Sequence, residues 1–267
     1  MDMTQATVLA FVQGLTEFLP ISSSAHLLLP SILLGWPDQG LTFDVGVHIG
    51  SLVAVIAYFR KDIYGLFMAW VQSIFRSTHT GESGLAWMII VATIPAGLAG
   101  LALDSVVEQF ARSPVVICVT TVVFGLALYW ADRVNKQMTT HQGINWRSAI
   151  IIGFAQALAL VPGTSRSGIT MTAALMCGLS RTDAARFSFL LAIPIILSSG
   201  LLKSLQMLEA TVSAQEWLLV GYGALVSGVV ALVCIHYFLK LIERIGFLPF
   251  VIYRLGLGAV LLVFIVL

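Results

Sequence analysis

Apolar runs long enough to cross a lipid bilayer recur along almost the whole of this chain, which leaves it few folds to adopt. Six runs are predicted to be full membrane spans, at about 43–59, 84–103, 113–131, 184–202, 216–239 and 247–267, since a transmembrane helix needs roughly 17–25 apolar residues. Charged residues make up 10% of the 267 positions, against about 25% in a soluble domain. The sequence therefore predicts an all-α integral membrane protein with a single membrane domain, residues 1–267.

Two further apolar segments, at about 4–34 and 148–178, are long enough to span the bilayer but are interrupted near their middles. Pro20 and the serines at 22–24 interrupt the first, and Pro162 with a run of small and hydroxyl residues at 163–168 interrupts the second. Proline removes a backbone donor and clashes with the preceding turn, so each segment is predicted to be two half-helices joined by a loop. Non-helical backbone at membrane depth needs protein or water around it. Both segments are therefore predicted to be re-entrant hairpins.

The distribution of basic residues favours re-entry of the second segment. If that segment leaves the membrane on the side where it entered, ten Lys and Arg residues share one face, while Arg112 and Lys203 lie on the other. A full crossing would give seven against five. Basic residues concentrate on the cytoplasmic side, which assigns to that side Arg60, Lys61, Arg76, Arg133, Lys136, Arg147, Arg181, Arg186, Lys240 and Arg244.

The two halves of the chain, approximately 1–135 and 145–267, resemble each other. With a one-residue gap, the alignment pairs Phe11, Gln13, Leu15, Pro20, Ser22 and Ser23 with Phe154, Gln156, Leu158, Pro162, Thr164 and Ser165. Each half then has one broken hairpin and three spans. Because three crossings are an odd number, the halves are predicted to form an inverted repeat, with a site near the bilayer midplane where the broken helices meet.

The first hairpin carries side chains suited to proton transfer and phosphate binding. Gln13 and Glu17 are four residues apart and share one helix face, and a carboxylate inside the membrane marks function by default. After the break, Ser22 or Ser23 can cap a helix whose first amide groups attract anions. His26 is the nearby side chain best suited to proton transfer at neutral pH, and a serine beside it is a candidate nucleophile.

The second hairpin repeats the hydroxyl-rich break and adds Arg166, whose guanidinium can clamp phosphate oxygens in a bidentate way. Two helix starts, several hydroxyls and one arginine are predicted to converge on a ligand with several negative oxygens, for which a phosphate or diphosphate fits best. The candidate phosphate-binding residues are Ser22, Ser24, Thr164, Ser165, Ser167 and Thr170. Glu17 and Gln13 can hold a divalent cation, which bridges a diphosphate and neutralises developing charge.

Other polar residues have simpler explanations. Asp44 and His48 share a face near the start of a span and are predicted to be a helix cap and an interfacial histidine. Arg254 lies in the last predicted span and is expected to reach the interface or to pair with Glu243. Glu108 and Glu243 are predicted to be structural, because they lie near helix ends. The three cysteines have the spacing of neither a zinc site nor a disulfide framework.

The two motifs resemble the signatures of the bacterial undecaprenyl-diphosphate phosphatase family that is linked with bacitracin resistance. The first signature has Glu or Gln, three residues and Glu, then a Pro- and Ser-rich turn and a His, and it matches Gln13 to His26 without a gap. The second reads Pro, Gly, any residue, Ser, Arg, Ser, two residues and Thr, and it matches Pro162 to Thr170. Chain length and spans agree as well, so the resemblance covers nearly the whole chain.

The resemblance implies hydrolysis of undecaprenyl diphosphate to the monophosphate and inorganic phosphate, with a divalent cation, Mg²⁺ or Ca²⁺. By position, Glu17 is the essential carboxylate, Ser23 the candidate nucleophile, His26 its proton-transfer partner and Arg166 the transition-state clamp. Gln13 stands where other members have Glu, so a cation at Glu17 and Gln13 would have one negative ligand fewer.

The resemblance also implies a multi-pass protein of the bacterial plasma membrane whose site opens to the periplasmic side and which recycles the carrier lipid for peptidoglycan synthesis. The expected partners are the polyprenyl diphosphate substrate and the bilayer, with no nucleic acid. Small or polar residues on lipid-facing surfaces permit a homodimer.

Two other functions are compatible with the same sequence. Inverted repeats with broken helices also build secondary transporters and lipid flippases, and fold alone does not decide function. A protein that binds the lipid phosphate without turnover is a third reading. The hydroxyl, His and Arg side chains gathered at the two breaks favour hydrolysis.

Overall fold

All regular secondary structure is helical in a computed structural model of the chain, which describes residues 1–76, 80–107, 113–138, 140–206 and 213–266. The helices are α1 (Met3–Thr16), α2 (Ser23–Leu34), α3 (Gly40–Tyr58), α4 (Arg60–Phe75), α5 (Gly81–Val106), α6 (Pro114–Lys136), α7 (Trp146–Ala157), α8 (Arg166–Met176), α9 (Arg181–Gln206), α10 (Ala214–Ile245) and α11 (Leu248–Val266). The predicted all-α class is confirmed for these ranges. Glu108 and Arg112 lie outside them.

Six of the described helices, α3, α5, α6, α9, α10 and α11, are long and apolar enough to cross a membrane. They coincide with the six predicted spans, and their ends differ by a few residues because polar turns extend several helices beyond their apolar stretches. The chain is therefore a multi-pass membrane protein.

Both predicted breaks are present. α1 ends at Thr16 and α2 begins at Ser23, so Pro20 lies in the turn between them. A single 3-10 turn, Leu158–Leu160, follows α7, and α8 begins at Arg166. We call α1, its break and α2 the first hairpin, and α7, its break and α8 the second hairpin; within each, the two helices contact each other. Re-entry and the inverted relation of the halves stay predictions.

Close helix packing buries a polar residue in each hairpin. Gly14 of α1 lies against the backbone of α10, and Gly153 of α7 lies against Ala92 of α5, where a Cβ would be 2.6 Å from the carbonyl oxygen. Glycine is required at both positions because any side chain would overlap the neighbouring backbone. The nearby Gln13 and Gln156 are consequently buried, at 0% and 2% exposure.

The helix α4 has no counterpart among the sequence predictions. It begins at Arg60 directly after α3, and its charged start makes it less apolar than a span. Asp62 in its first turn accepts a hydrogen bond of 2.7 Å from Arg186 of α9, while Trp70 packs edge-to-face on Trp87 of α5 with ring centroids 5.9 Å apart. These contacts hold α4 against two spans at the end where basic residues are concentrated.

Polar contacts also fix the neighbouring helix ends on that side. Arg181 donates to both carboxylate oxygens of Asp132, at 2.7 and 2.8 Å. Asn135 donates to the Leu175 carbonyl in the last turn of α8 at 3.0 Å and to the Leu179 carbonyl in the turn that follows at 2.9 Å. Thr182 donates to Glu243 at 2.7 Å, which agrees with the structural role predicted for that glutamate. α8 is thereby held at the end remote from its break.

Candidate active site

Glu17 is the centre of a buried polar cluster at the break of the first hairpin. It directly follows α1, and its side chain is 6% exposed. Ser23 Oγ donates to Glu17 Oε2 at 2.7 Å, and Gln13 Nε2 donates to the same oxygen at 2.9 Å. The turn brings the first residue of α2 back to the carboxylate. A carboxylate within hydrogen-bond reach of a hydroxyl is the arrangement of a base and its nucleophile.

The second hairpin supplies the opposite charge. Arg166 Nη2 lies 3.0 Å from Glu17 Oε1, and both side chains are largely buried. A buried ion pair is costly unless other hydrogen bonds satisfy its remaining atoms, and the bonds from Ser23 and Gln13 to the second carboxylate oxygen do so. The two breaks, distant in sequence, therefore meet at a single ion pair.

The turns that lead into α2 and α8 have the same unusual backbone. Ser22 has φ 74° and Ser165 has φ 71°, and they are the two non-glycine residues with positive φ among the described residues. Ser22 Oγ lies 3.3 Å from Ser24 Oγ, and Ser165 Oγ lies 3.3 Å from Ser167 Oγ. Non-glycine residues in such conformations cost about 1–3 kcal/mol each and cluster at functional sites.

This backbone match changes the alignment of the two halves. Ser22 corresponds to Ser165 and not to Thr164, at the same spacing that relates the two aligned glutamines. The one-residue gap in the sequence alignment is therefore unnecessary. Without the gap, Ser23 and Arg166 occupy equivalent positions, each at the first residue of its helix.

Arg254 of α11 joins the two breaks. It is completely buried, and its guanidinium donates to five backbone carbonyls at 2.9–3.3 Å. One carbonyl belongs to Pro20, two belong to Gly163 and Thr164, and two belong to α6. The expectation that Arg254 reaches the interface or pairs with Glu243 is wrong. Ends of broken helices leave carbonyls without helical partners, and a guanidinium supplies five donors for them.

The predicted phosphate-binding hydroxyls divide into two groups. Ser22, Ser24 and Ser165 line the cavity described below, and Ser165 Oγ also accepts the N-cap hydrogen bond of α8. The others bond within the fold or lack a partner: Ser167 Oγ donates to the Leu19 carbonyl at 2.8 Å, Thr170 Oγ1 lies 2.7 Å from Ser188 Oγ, and the buried Thr164 Oγ1 has no hydrogen-bond partner among the described residues.

His26 lies in the first turn of α2 and is 8% exposed. Its Nδ1 is 2.7 Å from the Ser22 carbonyl oxygen, and its Nε2 is 2.6 Å from Tyr253 Oη. Both ring nitrogens are engaged, so the ring is fixed beside the turn at Ser22. The hydroxyl of Ser23 bonds to Glu17, and proton transfer between Ser23 and His26 stays a prediction.

His48 of α3 approaches the same carboxylate from outside the hairpins. Its Nε2 lies 3.7 Å from Glu17 Oε2, and its Nδ1 is 2.7 Å from the Asp44 carbonyl oxygen. Asp44 accepts from Gln39 at 2.9 Å and does not cap α3, whose N-cap position is Gln39. The prediction of a cap and an interfacial histidine is therefore wrong. The sequence feature that could have predicted this contact is the presence of small residues near His48 on α3, because small residues indicate a helix face that packs closely against its neighbours.

A cavity of about 220 Å³ opens at this cluster. Its polar lining comes from the two breaks, α3, Gln156 of α7 and Ser199 of α9, and its apolar lining comes from α5, the 3-10 turn and α9. The lining residues are Glu17, Ser22, Ser23, Ser24, His48, Ala96, Gln156, Ala159, Leu160, Ser165, Arg166, Ile195, Ile196 and Ser199. Ser24 and Ser199 are exposed, so the cavity reaches the surface. Polar and apolar walls together suit an amphipathic ligand.

The oxygen atoms around Glu17 suit a divalent cation whose other coordination positions are filled by a bound ligand. The described residues contain no group of three His, Cys, Asp or Glu side chains placed for a metal. However, the amide oxygen Oε1 of Gln13, whose Nε2 bonds to Glu17, is buried without a hydrogen-bond partner among the described residues. Mg²⁺ keeps several waters and is held by one or two carboxylates together with substrate phosphates. Glu17, the amide oxygen of Gln13 and phosphate oxygens meet that requirement.

Comparison with known proteins shows the family of this chain. The family model described as Bacitracin resistance protein BacA matches residues 6–260. The chain belongs to this family. A protein named Undecaprenyl-diphosphatase 2, from Stutzerimonas stutzeri (strain A1501), is 55% identical over 266 residues, which are 98% of each chain.

For this member of the BacA family, the resemblance drawn from the two motifs is confirmed. The matched region runs from α1 into α11. It therefore includes both hairpins, the ion pair between Glu17 and Arg166, and Arg254, which joins the breaks.

Proposed function

We propose that this chain hydrolyses undecaprenyl diphosphate to the monophosphate and inorganic phosphate, and so recycles the carrier lipid for peptidoglycan synthesis. Its family and the name of its 55%-identical relative support this function. The observation that carries the proposal is the double contact of Glu17, which bonds Ser23 of its own hairpin and Arg166 of the other. A nucleophile, its base and an anion clamp thus share one cavity, as phosphoryl transfer requires.

Substrate binding follows from the polarity of the cavity walls. The terminal phosphate lies beside Ser23 and Arg166, while the prenyl chain leaves along the apolar lining that includes Leu160, Ile195 and Ile196. The lipid can then reach the cavity from the bilayer while its charged head stays among polar groups.

In the first step Ser23 Oγ attacks the terminal phosphorus in line with the bridging oxygen. The hydroxyl proton passes to Glu17 Oε2, 2.7 Å away, and the bond from phosphorus to the bridging oxygen breaks as the new bond forms. Glu17 passes the proton to the departing lipid monophosphate. Arg166 stabilises the negative charge on the non-bridging oxygens of the transferring group.

In the second step water attacks the phosphoserine and releases inorganic phosphate. Glu17 takes a proton from the attacking water and returns one to Ser23 Oγ. His26 holds the Ser22 carbonyl and so positions the adjacent Ser23. Direct proton transfer from Ser23 to His26 requires the start of α2 to rearrange when the lipid binds.

A divalent cation, Mg²⁺ or Ca²⁺, forms part of the proposal. Glu17 and the amide oxygen of Gln13 would hold it. When bound it would supply positive charge that neutralises the charge developing on the phosphate oxygens. Because Gln13 is uncharged, the protein contributes a single negative ligand, and affinity for the cation depends on the phosphates of the substrate.

We further propose that the cavity opens to the periplasmic side. His48 of α3, Ala96 of α5 and Ser199 of α9 line it, and each lies on the half of its span remote from the end rich in Lys and Arg. Since basic residues concentrate on the cytoplasmic side, the remote half is the periplasmic one. Labelling of a cysteine placed at exposed Ser24 by a membrane-impermeant reagent in intact cells tests this orientation.

A homodimer is the remaining part of the proposal. Gly97 of α5 and Gly256 of α11 face outward, with no atoms of the described residues near a Cβ built at either position. Small outward-facing residues let membrane helices approach closely. The mass of the protein in its detergent complex tests the assembly.

The proposed reaction is tested by measuring phosphate release from undecaprenyl diphosphate by the purified protein in detergent. We expect turnover by the wild type, and losses of at least about 10³-fold in Glu17→Ala and Arg166→Ala, because each removes a group that acts in the transition state. Arg186→Ala, which removes an exposed ion pair, is the matched control. Unaltered turnover in both site variants would falsify the site assignment.

The same preparation separates the other two functions. A flippase needs two compartments, so phosphate release in micelles excludes flipping as the explanation of activity. A protein that only binds lipid phosphate gives saturable binding without product. If Ser23 is the nucleophile, wild type quenched with acid during turnover of a phosphate-labelled substrate should carry the label on Ser23. Direct attack by water would leave Ser23 unlabelled.

A further inference from the structure

Gln156 of α7 is a buried amide in the cavity whose polar atoms have no partner among the described residues. The residue is 2% exposed, yet it belongs to the cavity lining. Neither its Nε2 nor its Oε1 makes a hydrogen bond within the part of the chain that the structure describes. Leaving a buried donor or acceptor unsatisfied costs about 1–3 kcal/mol, so an amide in this position needs a functional explanation.

The equivalent residue of the first hairpin explains why Gln156 lacks a partner. Gln13 donates to Glu17, four residues later, at 2.9 Å. The residue four positions after Gln156 is Leu160, an apolar residue of the 3-10 turn. The second hairpin therefore keeps the glutamine and omits the carboxylate that would bond it.

Close packing of α7 on α5 accompanies the position of Gln156 at the cavity. Gly153, one turn earlier in α7, lies against the backbone of Ala92 in α5, so the two helices are in close contact at this level. Ala96, one turn later in α5, lines the cavity together with Gln156. Because the side chain of Ala96 is small, open space remains in front of the Gln156 amide.

The neighbours of Gln156 indicate which part of a lipid diphosphate it contacts. Ala159, Leu160 and Ala96 belong to the apolar lining of the cavity, whereas Ser23 and Arg166 belong to the charged end. In the proposed reaction the terminal phosphate occupies the charged end. The phosphate that carries the prenyl chain then lies nearer to the apolar lining and to Gln156.

We propose that Gln156 binds the lipid-side phosphate of the substrate by donating its Nε2 hydrogens to the oxygens of that phosphate. This inference rests on the proposed diphosphatase function and assigns a role to a residue outside the two motifs. Gln156 recognises a group that substrate and lipid product share. It therefore contributes to affinity for both, and not to the charge stabilisation that accelerates the chemical step.

The test uses Gln156→Met, which keeps the length of the side chain and removes both polar atoms. A hydrogen bond to a charged group corresponds to a change in affinity of about tenfold to a hundredfold. For a short-chain prenyl diphosphate we expect KM to rise by that factor with little change in kcat. The inhibition constant of the matching prenyl monophosphate should rise in parallel, whereas that of inorganic phosphate, the released terminal group, should not change.

Thermal unfolding distinguishes a binding role from a structural one. Replacing an unpartnered buried amide by an apolar group of the same shape is neutral or stabilising, so Gln156→Met should unfold at the same or a higher temperature while it binds lipid less tightly. Gln156→Glu keeps the shape and adds a negative charge, and should weaken monophosphate binding further. Trp70→Phe is the control, since the Trp70 indole N–H is also buried without a partner in the described part of the chain but lies outside the cavity lining.

Binding of the prenyl monophosphate measured by calorimetry separates this inference from the proposed function. If the wild type does not release phosphate but binds the monophosphate more tightly than Gln156→Met does, the diphosphatase function fails and the phosphate contact stands. If the wild type is active and both proteins bind the monophosphate equally, the contact is wrong. The contact is also wrong if Gln156→Met unfolds at a lower temperature than the wild type and its kcat falls by as large a factor as its KM rises. A changed inhibition constant for inorganic phosphate alone likewise contradicts the contact.

Discussion

The two hairpins share a backbone and differ in the charge that each contributes. Each has a buried glutamine in its first helix, a serine with positive φ at the break, and a second serine two residues later whose hydroxyl lies 3.3 Å from the first. At the residue between those serines, the first hairpin has Ser23 and the second has Arg166. The first hairpin also has Glu17, where the second has Leu160.

This difference explains why both hairpins are needed. The shared backbone places the first residues of α2 and α8 at one cavity, and the substitutions give one position a hydroxyl and the other a guanidinium. Glu17 then bonds to both. Neither hairpin alone contains a nucleophile, a base and an anion clamp, so the site depends on the meeting of the two breaks.

The largest expected effect comes from removing the charge that distinguishes the first hairpin. Glu17→Gln keeps the shape of the side chain but cannot accept the proton of Ser23, so kcat for phosphate release should fall by about 10³–10⁴-fold, the upper part of the range for general base catalysis. Glu216→Gln, at an exposed glutamate of α10, is the control. A loss in His26→Gln larger than in Glu17→Gln would assign the base to His26 instead.

A smaller loss should follow when the two breaks are no longer held together. Arg254→Met removes the hydrogen bonds that the guanidinium donates to five carbonyls, and a shift of about 1 Å between catalytic groups can cost about 100-fold in rate. We expect that loss in kcat together with a lower unfolding temperature, and partial recovery in Arg254→Lys. Arg186→Met, which removes an exposed ion pair, should leave kcat unchanged and lower the unfolding temperature only slightly. Full activity in Arg254→Met would mean that the ion pair alone aligns the breaks.

The spans and both breaks could be predicted because they depend on local properties of the sequence. The length of an apolar run determines whether a helix can cross the bilayer. Proline removes a helical hydrogen bond, and both breaks combine it with a run of Ser, Thr or Gly, whereas Pro95 and Pro194 lie inside α5 and α9. The partnership of Glu17 with Arg166 was also foreseeable, since each is an isolated charge at a break in an apolar segment. α4 was missed because its charged first turn and 16-residue length match no membrane span.

The positions of His48 and Arg254 could not be predicted because they depend on which helices pack together. A histidine near the start of a span has the same sequence pattern whether it faces the interface or a carboxylate on another helix. The alignment of the halves failed for a different reason. It matched Pro20 with Pro162, whereas the equivalent residues are the two serines with positive φ. A positive φ cannot be recognised from the sequence when the residue that adopts it is not glycine.

An effect of about tenfold is expected from the cation that the first hairpin is proposed to hold. Gln13→Glu adds a second carboxylate beside Glu17, and affinity for a hard cation rises with the number of charged oxygen ligands. The concentration of Mg²⁺ or Ca²⁺ that gives half-maximal activity should therefore fall by about tenfold. Chelation should abolish turnover, and added cation should restore it. Turnover that survives complete chelation in both proteins would remove the cation from the mechanism.

The smallest expected effect tests whether the two positive-φ serines are equivalent in energy as well as in shape. Glycine adopts positive φ without steric cost, so Ser22→Gly and Ser165→Gly both relieve backbone strain of about 1 kcal/mol or more. Ser165 Oγ accepts the hydrogen bond of the Gly168 amide at 3.1 Å, whereas Ser22 makes no such cap.

Replacing a serine cap by glycine costs a few tenths of a kcal/mol, so Ser22→Gly should stabilise the protein more than Ser165→Gly does, by about that amount. Thermal unfolding in detergent measures the difference, with Ser213→Gly reporting the loss of a cap at a residue of negative φ. The opposite order would mean that the hydrogen bond between Ser22 and Ser24 is worth more than the cap at Ser165 and the bond between Ser165 and Ser167 together. The serine at position 22 would then be required by the fold, because its hydroxyl orients the turn that delivers Ser23 to Glu17.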